Sequence, residues 1–136
     1  MSRRTHFPAV AALARWHGAG NVAAGLWPLL HMRSFEAVMG PKTDRWLVRT
    51  VAGLLVASGY VQLRAAPSAD GLAGARRTGL GTAATLATID LLYAPSGRIS
   101  RMYLLDALVE CGLITAWIAA SSKQEWQRAG RGRKIH

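Results

Sequence analysis

Four long apolar stretches alternate along this chain with short segments rich in charge, Pro, Gly or Ser. The first runs from Ala9 to His31, the second from about Asp44 to Arg64, the third from about Arg76 to Ala94 and the fourth from about Arg101 to Ser122. Each is long enough for a helix of ~20 residues, the length that crosses a bilayer. In the first, His17, Asn21, Ala24, Pro28 and His31 recur at helical spacing, so one face gathers the polar groups, and Pro28 bends or ends the helix. Met32–Thr43 places Phe35, Val38 and Met39 opposite Arg33, Glu36 and Lys42, the pattern of a short amphipathic helix lying on a membrane, stopped by Gly40-Pro41. In the third stretch Gly79, Ala83 and Ala87 repeat every four residues, and Gly81 and Thr85 form a neighbouring line. Small residues at that spacing let helices approach closely in lipid.

The pattern predicts an all-α fold, a four-helix transmembrane bundle with a short amphipathic connector after the first helix, as one integral membrane domain over residues 1–136. Ala65–Gly74 reads as a loop, Pro95-Ser96-Gly97 as a tight turn, and Lys123–His136 as a basic mobile tail. Every stretch carries at least one charge, so none meets the strict signal of roughly 18 charge-free residues. A soluble bundle is the rival. It would need charged outer faces, and Val51–Leu63 and Gly112–Ser122 contain no charge at all.

Composition sharpens this picture. Only 18% of residues are charged, yet the net charge is +10. A nucleic-acid-binding domain of that charge would show a basic face on a charge-rich surface, whereas here the basic residues fall between apolar stretches. The expectation is a lipid partner and no nucleic acid. With the N-terminus inside, the inner segments hold eleven Lys and Arg and the outer segments five, Arg49 inside a helix completing the seventeen. That asymmetry predicts an inner-membrane protein with both termini cytoplasmic. Arg15, Trp16 and His17 interrupt the first stretch too early for a cleavable leader. The single cysteine, Cys111, excludes a disulfide framework, and no metal-ligand spacing or Gly-rich phosphate loop is present. No cofactor and no metal are expected.

The candidate chemistry lies in the helical charges. Arg49 sits four residues inside the second helix, Asp90 five residues before Pro95, and Asp106 five residues after Arg101. All three then lie about 6–8 Å in from the same surface, with Glu110 one turn deeper. Ionisable groups inside a membrane pair or mark a polar site. The plainer reading is an Arg49–carboxylate clamp with Asp90 as the first partner; the functional one is a polar pocket that also takes in His31 and Trp27. One Arg against three acids leaves negative charge over, to be answered by a proton, another cation or water.

Gly25-Leu26-Trp27-Pro28, then Ser34-Phe35-Glu36 and Gly40-Pro41, resemble the DoxX-like small bacterial membrane proteins. The resemblance implies four helices, a Pro near the end of the first, an amphipathic Phe-containing connector and an Arg early in the second, where Arg49 stands. It implies no assigned activity; some members are linked to quinone-coupled sulfur oxidation as accessory subunits. The sequence therefore leads to an accessory or structural membrane component, packing with itself or in a larger complex, and leans away from an enzyme. The alternative is a membrane enzyme or carrier acting on a small quinone- or isoprenoid-like molecule near Arg49 and Glu110. A cavity lined by Asp106, Glu110 and Trp27 separates the two.

Overall fold

The computed structural model describes the backbone of residues 8–132 and the side chains of residues 8–125. Among these the protein is all-α, with five helices and no strand: α1 (Pro8–Leu30), α2 (Met32–Met39), α3 (Arg45–Leu63), α4 (Ala69–Tyr93) and α5 (Tyr103–Gly132). Pro8 opens α1, where its missing N–H costs nothing, and Pro28 stands two residues before its end at Leu30. The expected connector is α2, and α3 falls within a residue of its expected bounds.

Two boundaries differ from the sequence reading. α4 begins at Ala69 rather than Arg76, because Ser68 caps it: the Ser68 hydroxyl accepts from Gly71 N at 3.1 Å, and Asp70 occupies the first turn. What reads as a loop by composition contains a helix start. α5 continues to Gly132 rather than ending at Ser122. Ser121 and Ser122 do not stop it, since their hydroxyls donate back to the carbonyls of Trp117 and Ile118 and leave the backbone helical. The segment expected to be a mobile tail is thus helical as far as Gly132; residues 133–136 lie outside the described residues.

Packing divides the bundle into two close pairs, α1 on α3 and α4 on α5, joined by lighter contacts of α3 with α4 and of α1 with α4 and α5. The first pair is in backbone contact. A Cβ built on Gly18 would lie 2.7 Å from the Gly59 carbonyl, one on Gly59 would lie 2.5 Å from the Gly18 carbonyl, and one on Gly25 would run into the Ala52 carbonyl. Gly18 and Gly25 on α1 face Gly59 and Ala52 on antiparallel α3, both pairs seven residues apart. The expected stripe on α4 is also buried, at Gly79, Ala83 and Ala87, while Gly81 and Thr85 are exposed. Gly79 is required by the polar groups it meets, since a Cβ there would lie 2.7 Å from both Gln62 Nε2 and Trp117 Nε1.

The inside is small and polar, and the outside is large and apolar. Buried aliphatic positions are mainly alanines, including Ala14, Ala52, Ala75, Ala83 and Ala107. His17, Asn21, Gln62, Asp90 and Glu110 are buried among them, and Trp117 and Gln62 are the largest fully enclosed side chains. Leu54, Leu92, Leu108, Val109 and Ile118 are exposed on the outer faces.

Candidate functional site

α3 and α5 are not packed on each other, and a cavity of about 990 Å³ occupies the space between them. Leu47, Val48, Val51 and Leu55 of α3 form one wall, and Leu105, Asp106, Val109 and Glu110 of α5 the other. Asn21, Ala24, Trp27 and Pro28 of α1 form the back. α2 and the connectors close one end: Phe35, Met39 and residues 40–44 come from one side, and residues 97–100 from the other. Gly40 and Gly97 have positive φ, 83° and 75°, and a Cβ on Gly40 would meet Ser100 at 3.2 Å, so the two connectors are tightly apposed.

The local sequence explains why these side chains point inward. Asp106 and Glu110 are one helical turn apart and so share the cavity face of α5. Trp27 Nε1 donates to the Ser34 hydroxyl at 2.8 Å, and its ring meets Phe35 edge to face at 5.5 Å, which fixes the indole at the turn between α1 and α2. Phe35 and Met39 turn into the cavity rather than outward, a correction to the expectation that they lie on a membrane surface. Pro28 has no N–H, so the carbonyl of cavity-lining Ala24 loses its helical donor.

Asp90 of α4 completes an acidic group behind the cavity wall, its carboxyl within hydrogen-bond reach of Asp106. Asp90 and Glu110 are 3% and 5% exposed, so both are effectively out of solvent. Asp90 Oδ2 and Glu110 Oε2 have no hydrogen-bond donor unless a carboxyl proton supplies one. Two carboxyls in contact need one shared proton.

The arginine of the expected clamp is elsewhere. Arg49 is exposed, makes no salt bridge among the described residues and does not line the cavity. At about 100° per residue it points roughly 140° away from the mean direction of Leu47, Val48, Val51 and Leu55, so the helix that builds the wall turns its arginine outward. His31 is also outside the cavity. It caps α2, Nδ1 accepting from Ser34 N at 3.2 Å, and is exposed. Asp90, Asp106 and Glu110 gather as expected, and Trp27 shares the cavity with the last two; Arg49 and His31 do not join them.

The one salt bridge among the described residues is at the α2–α3 junction. Arg45 donates to both Glu36 oxygens, at 3.0 and 2.7 Å, and Lys42 N donates to Glu36 Oε1 at 3.1 Å. The hydrogen bonds from Arg45, opposed by burial and helped by the Lys42 amide, hold the Glu36 carboxyl below its ordinary range. Lys42 turns its ammonium onto the Met39 carbonyl at 3.1 Å and over the Tyr103 ring at 4.5 Å, at the cavity rim. Burial there lowers its affinity for a proton, against the pull of Glu36.

A second polar group lies deeper, and sequence reasoning missed most of it. Trp117 Nε1 donates to His17 Nδ1 at 2.9 Å, and Asn21 Nδ2 donates to Gln62 Oε1 at 3.0 Å. His17 and Asn21 were visible as a polar face. Gln62 and Trp117 do not stand out by spacing, although a lone Gln in the apolar Val51–Leu63 run is itself a signal of inward orientation. No group of three or more His, Cys, Asp or Glu among the described residues is arranged to hold a metal.

Comparison with protein-family models, curated proteins and solved structures finds no match for this chain. The likeness to DoxX-like proteins rests on the short motifs at Gly25–Pro28, Ser34–Glu36 and Gly40-Pro41, with the helix layout and the position of Arg49.

Proposed function

We propose that this protein is a four-helix integral membrane protein of the inner membrane that holds a small, largely apolar molecule between α3 and α5. Its distribution of side chains supports the membrane reading. The exposed faces carry Leu, Val and Ile, while the buried positions carry Ala, Gly and polar groups; a water-soluble bundle distributes these types the other way. α3 and α5 are long and apolar enough to cross a bilayer. α1 and α4, at 23 and 25 residues, have the length, and their polar content is turned inward at His17, Asn21 and Asp90. Exposed hydroxyls on Thr50, Thr85, Thr88 and Thr115 donate to carbonyls of their own helix, which suits a surroundings without water.

The cavity is the observation that carries the functional reading. Its volume matches the upper range of small-molecule sites, roughly 300–1,000 Å³. A purely structural component has no use for a space of that size beside unanswered carboxyls. Leu47, Val51 and Val109 would meet the apolar body of the ligand, and Glu110 with Asp106 would meet its polar end. Isoprenoid- and quinone-like molecules have that form.

Purification in mild detergent followed by native mass spectrometry tests this. The wild type should retain a small lipophilic molecule, and Val51→Trp, which fills the cavity from one wall, should retain at least tenfold less while staying folded by circular dichroism. Equal retention by the two would refute the assignment of the cavity.

A further inference from the structure

We propose that the preferred occupant of the cavity is an amphiphilic organic cation, which binds by replacing a carboxyl proton at the Glu110, Asp106 and Asp90 group. This rests on the cavity reading above and narrows its ligand to one chemical class.

The acidic group alone would not support it. The second observation is Glu110 itself: 95% buried, lining the cavity, with Oε2 unpartnered. The groups facing it are all accounted for. From α5 come Asp106 and the phenol of Tyr103, from α4 Asp90, from α1 the amide of Asn21, one N–H of which is donated to Gln62, and from α3 only apolar residues. Lys42, Arg98 and Asp44 are at the rim. Among the described residues no basic side chain forms a salt bridge with any of the three acids.

Charge counting then leaves two states. With one proton shared by Asp90 and Asp106 and Glu110 ionised, the group carries two negative charges in an apolar setting, which is costly without a counter-charge. Protons can cancel that charge, or a cation can. Lys42 does not serve, because its ammonium is turned onto the Met39 carbonyl and the Tyr103 ring and makes no salt bridge with the acids. That contact also shows how this cavity accommodates a cation, on an aromatic face. The Ala24 carbonyl beside the cavity, which lacks its helical donor, is likewise an acceptor. A ligand that brings only acceptors could meet the hydroxyls of Tyr103, Thr43 and Ser100, but it would leave the charge of the three acids unanswered. A cation answers both the charge and the empty lone pairs.

The balance is simple. The cation enters, one carboxyl proton leaves to solvent, and the charge of the site is unchanged. No bond other than the O–H is broken.

Tetraphenylphosphonium and tetraphenylborate have nearly the same size and shape with opposite charge, and triphenylmethane is a neutral relative. Binding of each to the purified full-length protein is measured by calorimetry over roughly pH 5–9, in buffers of different ionisation enthalpy, which counts protons released. With each affinity referred to the compound's mole fraction in the micelle, tetraphenylphosphonium should bind at least tenfold more tightly than the other two. Its affinity should rise about tenfold per pH unit while one proton is released per ligand. Glu110→Gln should remove that pH dependence and weaken binding at least tenfold; the proton count in the wild type gives the same answer should this variant fail to fold. Equal or tighter binding of the neutral or anionic compound, or cation binding without proton release, overturns the cationic assignment and leaves the cavity reading in place. Failure of all three compounds to bind overturns both.

Discussion

Replacing Gly59 by Ala should destabilise the protein although alanine is the better helix former. The added Cβ would lie 2.5 Å from Gly18 O and 2.8 Å from both Val22 N and Val22 Cγ2. Ordinary contact begins at 3.4 Å, so α1 and α3 must separate by about 0.9 Å at their closest point. Two of the three obstructing atoms are backbone, and a rotamer change cannot clear them. Overpacking of this kind costs about 1–3 kcal/mol. Gly53 supplies the reference on the same helix, because a Cβ there meets nothing within 4 Å. Gly53→Ala should gain about 1 kcal/mol from helix propensity alone. That gain is common to both variants, so Gly59→Ala should fall below Gly53→Ala by the overpacking cost of about 1–3 kcal/mol. Reversible denaturation in mixed micelles, followed by far-UV circular dichroism, measures the gap. Two variants of equal stability would refute backbone contact between α1 and α3.

Arg49→Ala should change stability by no more than about 0.5 kcal/mol in the same assay, as expected for an exposed residue with no salt bridge among the described residues; a loss of several kcal/mol would restore the clamp expected from the sequence. The Glu36–Arg45 pair should give an acid-sensitive contribution. Because the folded Glu36 holds its proton less tightly than the unfolded one, that contribution is complete above the ordinary glutamate value and vanishes as pH falls through the lower folded value. Glu36→Gln should flatten the acid limb of the stability–pH curve, and an unchanged limb would refute the pair's role. Reporter fusions after Ala69 and His136 should report the cytoplasm and fusions near Lys42 and Gly97 the outside, as the distribution of basic residues requires; a cytoplasmic Lys42 would reverse the orientation.

The helices were legible because their apolar runs and turn residues agree. The ends that failed did so where short polar side chains serve two purposes. Ser68 reads as loop and acts as a cap, while Ser121 and Ser122 read as a stop and bond back to their own helix. The carboxyl group was legible from depth, since residues at equal distances from helix ends meet in a bundle. Depth says nothing about rotation around the helix, and that is where Arg49 was lost. Its turn of α3 carries the cavity wall on the opposite side, and only the positions of the neighbouring helices decide which side is inward. The α1–α3 contact was available in principle: Gly18 and Gly25, with Ala52 and Gly59, show the same seven-residue spacing in two stretches joined by a short connector.

The gap between α3 and α5 has a consequence for what a measured affinity would mean. Leu105 and Val109 line the cavity yet are more than half exposed, so the cavity opens along the side of the bundle. In a bilayer that opening meets acyl chains rather than water. A ligand would then arrive by two-dimensional diffusion after dissolving in the membrane, and the concentration that governs occupancy would be the one in lipid. Two compounds with identical contacts but tenfold different partitioning would differ tenfold in apparent Kd, and each value would shift with the lipid-to-protein ratio. In the proposed membrane setting, dissociation constants would therefore acquire meaning as mole fractions in lipid, not as molar concentrations in buffer.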